Sequence, residues 1–178
     1  LRDGLNRLLP ETIRVRRVSP VGPEFHARYD ARAKRYVYRL RWRAPTVPWR
    51  AQRAAFVAPV EDLEALLAAL GSLRGTHDMA SFTVADHGRN NTVRTILAAS
   101  ATHRRQGLDL ELVGDGFLRY QVRRMVGALL EVGRRQRPAE DLRRLLESPR
   151  AGARIRTAPA RGLTLERVLY HGSPRRTD

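Results

Sequence analysis

At 178 residues, 42% of them hydrophobic, the chain is long enough to bury one core and too apolar to be disordered. Lys+Arg number 34 against Asp+Glu 18, a net charge of +16 that is almost all arginine because Lys34 is the single lysine, and this excess points to a phosphate-bearing partner. The absence of cysteine excludes a disulfide scaffold, and the scattered histidines, the lack of a membrane-length apolar run and the lack of a signal-peptide pattern argue for a cytoplasmic protein without a metal centre.

An arginine-heavy composition of the kind a GC-rich genome produces is the alternative, and it explains the Arg/Lys ratio better than it explains the net excess. Residues 1–9 carry helical spacing and stop at Pro10, and residues 12–18 (TIRVRRV) alternate as a strand. The chain opens inside that helix, which leads us to expect a preceding N-terminal part. After the turn at Gly22 and Pro23, residues 34–42 (KRYVYRLRW) place Tyr36, Tyr38, Leu40 and Trp42 on one face of a strand and Arg35, Val37, Arg39 and Arg41 on the other. A loop with three prolines leads to a helix at 61–73, with acidic residues in its first turn as the helix dipole prefers.

Residues 92–102 and 108–113 read as strands joined by RRQG, whose Gly107 suits a hairpin turn. The next stretch, FLRYQVRRMVGALLEVG at 117–133, spaces Leu118, Val122, Met125, Leu129 and Val132 as the buried stripe of an amphipathic helix. On a wheel of 100° per residue Arg119 and Arg123 border that stripe and Arg124 points away from it. An arginine at such a border usually meets an anion, or snorkels with its stem along the core. A second helix starts at Pro138 and runs through Leu146, a polar loop crosses 148–161, and residues 163–170 (LTLERVLY) close as an alternating strand. From residue 34 to 170 the large elements follow the order β-α-β-β-α-β. That is the α+β, ferredoxin-like or RRM-like order, an antiparallel sheet with helices on one face. Residues 1–22 read as the end of an N-terminal half-domain, 23–172 as the main α+β domain and 173–178 as a basic tail. An open sheet face bearing aromatics and arginines is one way to hold RNA, although this order serves many functions.

Four segments together resemble the tRNA pseudouridine synthases of the TruA type. LNRLLPETIRV at 5–15 is similar to L-N-x-x-L-P-x-x-I-x-V, and FHARYDARAKRYVYRL at 25–40 to F-H-A-R followed by a basic pair and Y-x-Y. The stretch from Phe117 is similar to F-x-x-x-x-V-R-x-x-V-G, and APARGLTLERVLY at 158–170 to A-P-x-x-G-L-x-L-x-x-V-x-Y. The resemblance covers nearly the whole chain. It implies half of a pseudouridine synthase fold, no cofactor, and isomerisation of uridine in tRNA on the 3′ side of the anticodon stem-loop, by a homodimer.

In that family the nucleophile is an aspartate within R-T-D-A-G-V-H, upstream of the L-N-x-x-L-P segment. These residues do not contain it, and Asp3, Asp30, Asp78 and Asp86 stand in other contexts. The chain by itself is therefore expected to be inactive. By the resemblance, Tyr36 contacts the flipped-out base and serves in proton removal; on the residues alone it is a core-facing strand tyrosine. Arg123 corresponds to the arginine that pairs with the nucleophilic aspartate, where its charge would keep that carboxylate ionised. Arg28 and Arg35 are candidates for phosphate contact or support of the site, with a solvated strand face the alternative for Arg35. GTHDMASF at 75–82 is similar to a G-x-x-D-F-x-S-F loop near the site, with Met79 in the phenylalanine position and His77 a loop histidine. Arg94 is a candidate to line the RNA cleft or, equally, a surface strand charge. The competing classes are a silent RNA-binding domain and a structural protein of a ribonucleoprotein.

Overall fold

The computed structural model of the protein describes residues 1–43, 53–86, 88 and 90–170. Most of the proline loop and the whole of the basic tail lie outside the described residues. By their internal contacts the residues form two units, Leu1–Asp30 and Ala31–Asp178.

In the first unit, helix α1 (Arg2–Leu8) ends at Leu9, whose extended backbone is the conformation that a following Pro10 enforces. Asn6 then clamps the chain that follows. Its Nδ2 donates to Val15 O at 2.9 Å and its Oδ1 accepts from Val15 N at 2.8 Å. The strand expected at 12–18 does not form. A side-chain amide supplies the donor and acceptor that a neighbouring strand would, so Val15 is satisfied without a ladder. Farther on, His26 N donates to Asp30 Oδ2 at 2.7 Å and His26 Nδ1 accepts from Arg28 N at 3.1 Å, which folds F-H-A-R into a tight turn.

The second unit contains strand β1 (Ala33–Arg41), strand β2 (Ala55–Phe56), helix α2 (Leu63–Ser72), strand β3 (Gly75–Asp78), strand β4 (Val93–Arg104), strand β5 (Gly107–Gly114), helix α3 (Gln121–Gly133), helix α4 (Ala139–Glu147) and strand β6 (Leu163–Leu169). The sheet runs β2-β1-β5-β4-β3, and β6 pairs with β1. The four long strands thus lie in the order β6-β1-β5-β4, all antiparallel, as the β-α-β-β-α-β reading implies. Two short strands were not legible in the sequence. β2 continues the outer edge of β1 in parallel, pairing Leu40 with Ala55, and β3 extends the sheet beyond β4, pairing His77 with Arg94. The sheet is therefore mixed, not purely antiparallel. Two and four residues carry too little alternation to announce a strand.

Alternation along β1 and β5 decides what the helices cover. Tyr38, Leu40, Leu108, Leu110 and Leu112 join Leu66 and Leu70 of α2 and Met125 and Leu129 of α3 in one core. Each such leucine contributes about 1.5–3 kcal/mol by leaving water. Asp62 caps α2, accepting from Ala65 N at 2.9 Å, so the helix starts two residues later than its acidic approach suggests. The opposite face of the sheet carries the arginines, and there Arg35 meets Glu111 at 2.6 Å, Arg39 meets Glu166 at 3.3 Å, and Arg41 and Arg104 both meet Asp109 at 2.7 Å. Aromatics and arginines are consequently parted by the sheet. The open face is a lattice of ion pairs instead of an aromatic platform, because residues i and i+1 of a strand point to opposite sides.

Candidate active site

The segment before α3 makes a turn that periodicity did not announce. Tyr120 has φ 61° and ψ −1°, a left-handed conformation that side chains other than glycine adopt at a cost, and it stands at the N-cap of α3 without a side-chain cap. The helix therefore begins at Gln121, not Phe117. Gln121 is fully buried, and its Oε1 accepts from Leu118 N at 2.8 Å, closing the turn that Gln121 N completes on Leu118 O. Leu118 is buried as the stripe predicts, but by this turn and not by the helix. Arg119 is exposed, near Asp86 at 3.8 Å.

Arg124 overturns the wheel. Far from pointing to solvent, it is 9% exposed and donates to Ser81 O at 3.1 Å, Ala153 O at 2.6 Å and Ile155 O at 3.5 Å. The polar segment after α4 covers the back of α3, so that the helix is buried on almost every side. Burial pushes the Arg124 guanidinium below its ordinary pKa and Glu131 partly offsets this; the three carbonyls accept from its two terminal nitrogens, while the buried Nε has no hydrogen-bond partner among the described residues. No helical period could have revealed a covering segment some thirty residues downstream.

That covering segment orients Arg123. A Cβ on Gly127, one turn after Arg123, would lie 1.7 Å from Arg156 O, so only glycine lets the backbone at 156–158 approach the helix. With that approach, Ala158 N donates to Arg123 O at 3.1 Å, and Arg123 Nε donates to Ala158 O at 2.7 Å. The Tyr120 ring lies 5.1 Å from the Arg123 guanidinium carbon. Among the described residues Arg123 forms no ion pair.

Tyr36 reaches the same place from the sheet. Opposite it, β6 carries an irregularity between Arg35 and Tyr36, where one extra residue re-aims the strand, and the Tyr36 ring meets Phe117 edge-on at 5.2 Å. Tyr36, Phe117, Tyr120, Arg123 and Leu163 line one cavity of about 150 Å³. Burial raises the Tyr36 phenol above its ordinary pKa, so it enters this cavity as a neutral hydroxyl at neutral pH. The arrangement offers an aromatic wall, a neutral donor and a cation around a space lined largely by apolar side chains. Such a pocket suits a planar, polar-edged ring next to an anion.

The other predicted residues fall elsewhere. Arg35 points to the opposite face of the sheet, at Glu111. Arg28 belongs to the first unit, where its guanidinium lies 5.8 Å from the Tyr29 ring centre. Arg94 lies at the start of β4 beside Gly116, which immediately precedes Phe117 of the cavity, and donates to Asn91 O. Of GTHDMASF, Met79 and Phe82 are fully buried, so methionine packs into the core at the phenylalanine position, and Asp78 accepts from Ala80 N and Thr92 Oγ1. His77 meets Arg74 O at 2.9 Å. Within the second unit, neither Asp78 nor Asp86 lines the cavity. Among the described residues no cluster of three His, Asp or Glu is placed to hold a metal ion, and no helix is long and apolar enough to cross a membrane. Neither period nor motif marks Tyr120, Gln121 or Arg124 for a place at or behind this cavity. A glutamine in an apolar run was the one available signal.

Residues 69–171, which hold β3 to β6 and four of the five cavity residues just named, match the family described as tRNA pseudouridine synthase. The chain is also 39% identical over 174 residues to the tRNA pseudouridine synthase A of Leuconostoc citreum, covering 96% of this chain and 66% of that protein. The chain belongs to the tRNA pseudouridine synthase A family. Its relative from Chlamydia pneumoniae is 40% identical over 173 residues, 95% of this chain and 63% of that protein, and the one from Syntrophotalea carbinolica is 38% identical over 170 residues, 95% and 67%. The chain thus spans about two thirds of the length of these relatives. Within the family's motifs, the glycine of V-R-x-x-V-G is the residue on which the segment at 156–158 rests. The glycine of A-P-x-x-G lies against the Tyr38 ring, where a Cβ would come within 2.6 Å.

Proposed function

We propose that the complete protein isomerises uridine to pseudouridine in tRNA, on the 3′ side of the anticodon stem-loop, and that it works as a homodimer. The net reaction breaks the bond from ribose C1′ to N1 and forms one from C1′ to C5, with a proton leaving C5 and one arriving at N1. The observation that carries this reading is the single cavity to which β1 brings Tyr36 and α3 brings Arg123. A base turned out of its stack needs a dry, aromatic-walled receiver, and Tyr36, Phe117 and Leu163 furnish it. Arg123, oriented by Ala158 O, supplies the charge that would hold a nucleophilic carboxylate ionised, the carboxylate coming from outside these 178 residues. Arg94 and Arg28 serve as phosphate contacts in this reading. Arg35, engaged with Glu111 on the far face, acts instead as support for β1.

The test is pseudouridine formation on a tRNA transcript by the complete protein and by its Tyr36→Phe variant. Conversion by the wild type, and tRNA binding without conversion by the variant, with a loss of about 100-fold or more in turnover, are expected. Binding by a wild type that leaves the uridines unchanged would make the protein a silent RNA-binding domain. Full turnover in Tyr36→Phe would remove the hydroxyl from the chemistry.

A further inference from the structure

Tyr120 has a cost that the fold does not require. It holds left-handed backbone, φ 61°, at the first turn of α3, where glycine or asparagine would sit with less strain. Its side chain is 39% exposed, so core packing does not demand a tyrosine there. The turn itself is held by other groups: Gln121 Oε1 accepts from Leu118 N at 2.8 Å, Thr83 Oγ1 donates to Arg119 O at 3.0 Å, and Arg124 N donates to Tyr120 O at 2.9 Å. What the conformation does achieve is to place the ring at the wall of the cavity, 5.1 Å from the Arg123 guanidinium and 5.4 Å from that of Arg119. Strain kept beside a reactive group is a marker of use.

We propose that Tyr120 is a positioning residue for Arg123: its ring, fixed by the left-handed turn, and Ala158 O are the two surfaces between which the Arg123 guanidinium is held at the cavity. Ala158 O orients Nε. The ring face, from the N-cap of the same helix, supports the guanidinium and excludes water from one side of it. A cation held in this way meets its carboxylate without reorganisation during the reaction. The inference rests on the isomerase reading of the cavity.

The experiment compares the complete protein with its Tyr120→Asn and Tyr120→Phe variants, measuring Tm and steady-state turnover of a tRNA transcript. Asparagine relieves the strain, so Tm is expected to stay level or rise by about 2–4 °C, while kcat falls about ten-fold with KM little changed. Phenylalanine keeps the ring face and is expected to recover most of that loss. Unchanged kcat in Tyr120→Asn overturns the positioning role, and so does a rise in KM at constant kcat, which would make Tyr120 an RNA contact. Parallel loss of Tm and kcat would make it a packing residue and overturn the role as well. A wild type that leaves tRNA unmodified removes the isomerase reading and this role with it, whereas an active wild type with an active Tyr120→Asn removes the role alone.

Discussion

Tyr38 is fully buried, and its hydroxyl donates to Pro159 O at 2.7 Å, tying the central strand to the segment that orients Arg123. Burial pushes its phenol up to about 12, with Arg123 and Arg161 pulling weakly the other way. In the unfolded chain the same phenol titrates near its ordinary 10.0, so the raised value leaves stability intact below pH 10 and removes it as pH climbs from there through about 12. Tyr38→Phe should therefore cost about 1 kcal/mol at neutral pH from the lost hydrogen bond, and should flatten the alkaline limb of a Tm-against-pH curve. An unchanged alkaline limb would mean that another group governs it. Tyr36, two residues earlier on the same face, differs in one respect: among the described residues its hydroxyl makes no hydrogen bond. The paired tyrosine is structural and the open one is available to a ligand.

At the scale of elements, α3 is the axis of the unit because it is covered twice, by α2 and the sheet core on one side and by the segment after α4 on the other. The second covering is held by Arg124 on the carbonyls of Ala153 and Ile155, by Glu131 accepting from Arg156 N at 3.2 Å, and by the contact over Gly127. Gly127→Ala should displace this segment. The added methyl would favour the helix by about 1 kcal/mol in isolation, yet it collides with a backbone carbonyl, which cannot rotate away as a side chain can. A net destabilisation of about 1–3 kcal/mol is expected, read as a lower midpoint in urea unfolding, together with a loss of turnover from the misplaced Ala158 O. Equal stability of the two proteins would show that the segment yields without cost.

For the whole molecule, the charge of +16 divides into arginines that face carboxylates on the open side of the sheet and others, such as Arg150, Arg154 and Arg156, for which no ion pair forms among the described residues. Only cations left available to phosphate release counterions on binding. Affinity for tRNA, measured by filter binding from low to moderate salt, should fall steeply, with a log–log slope of roughly 0.7–0.9 per phosphate neutralised. A flat response would exclude a groove that tracks the backbone. Neutralising Arg39, whose guanidinium is committed to Thr164 and Glu166, should leave that slope unchanged.

Much of the architecture could be read from the residues because it is encoded locally. The alternation of Tyr36, Tyr38 and Leu40 marked β1 and its buried face, Gly107 marked the hairpin of β4 and β5, and the four motifs located the family and nominated Tyr36 and Arg123. The strand expected at 12–18 failed for a local reason as well, since Asn6 satisfied Val15 before any neighbouring strand could. What only the tertiary structure decided was where the polar side chains go. Arg124 is buried, Arg35 is committed to Glu111, Tyr120 is left-handed, and Arg123 rests between a ring and a carbonyl. Period and propensity describe how a segment presents its side chains, but the partner of a guanidinium is set by segments that meet it only after folding. The residues from 148 to 162 are such a segment: without regular alternation of their own, they decide which side of α3 is closed and which faces the cavity.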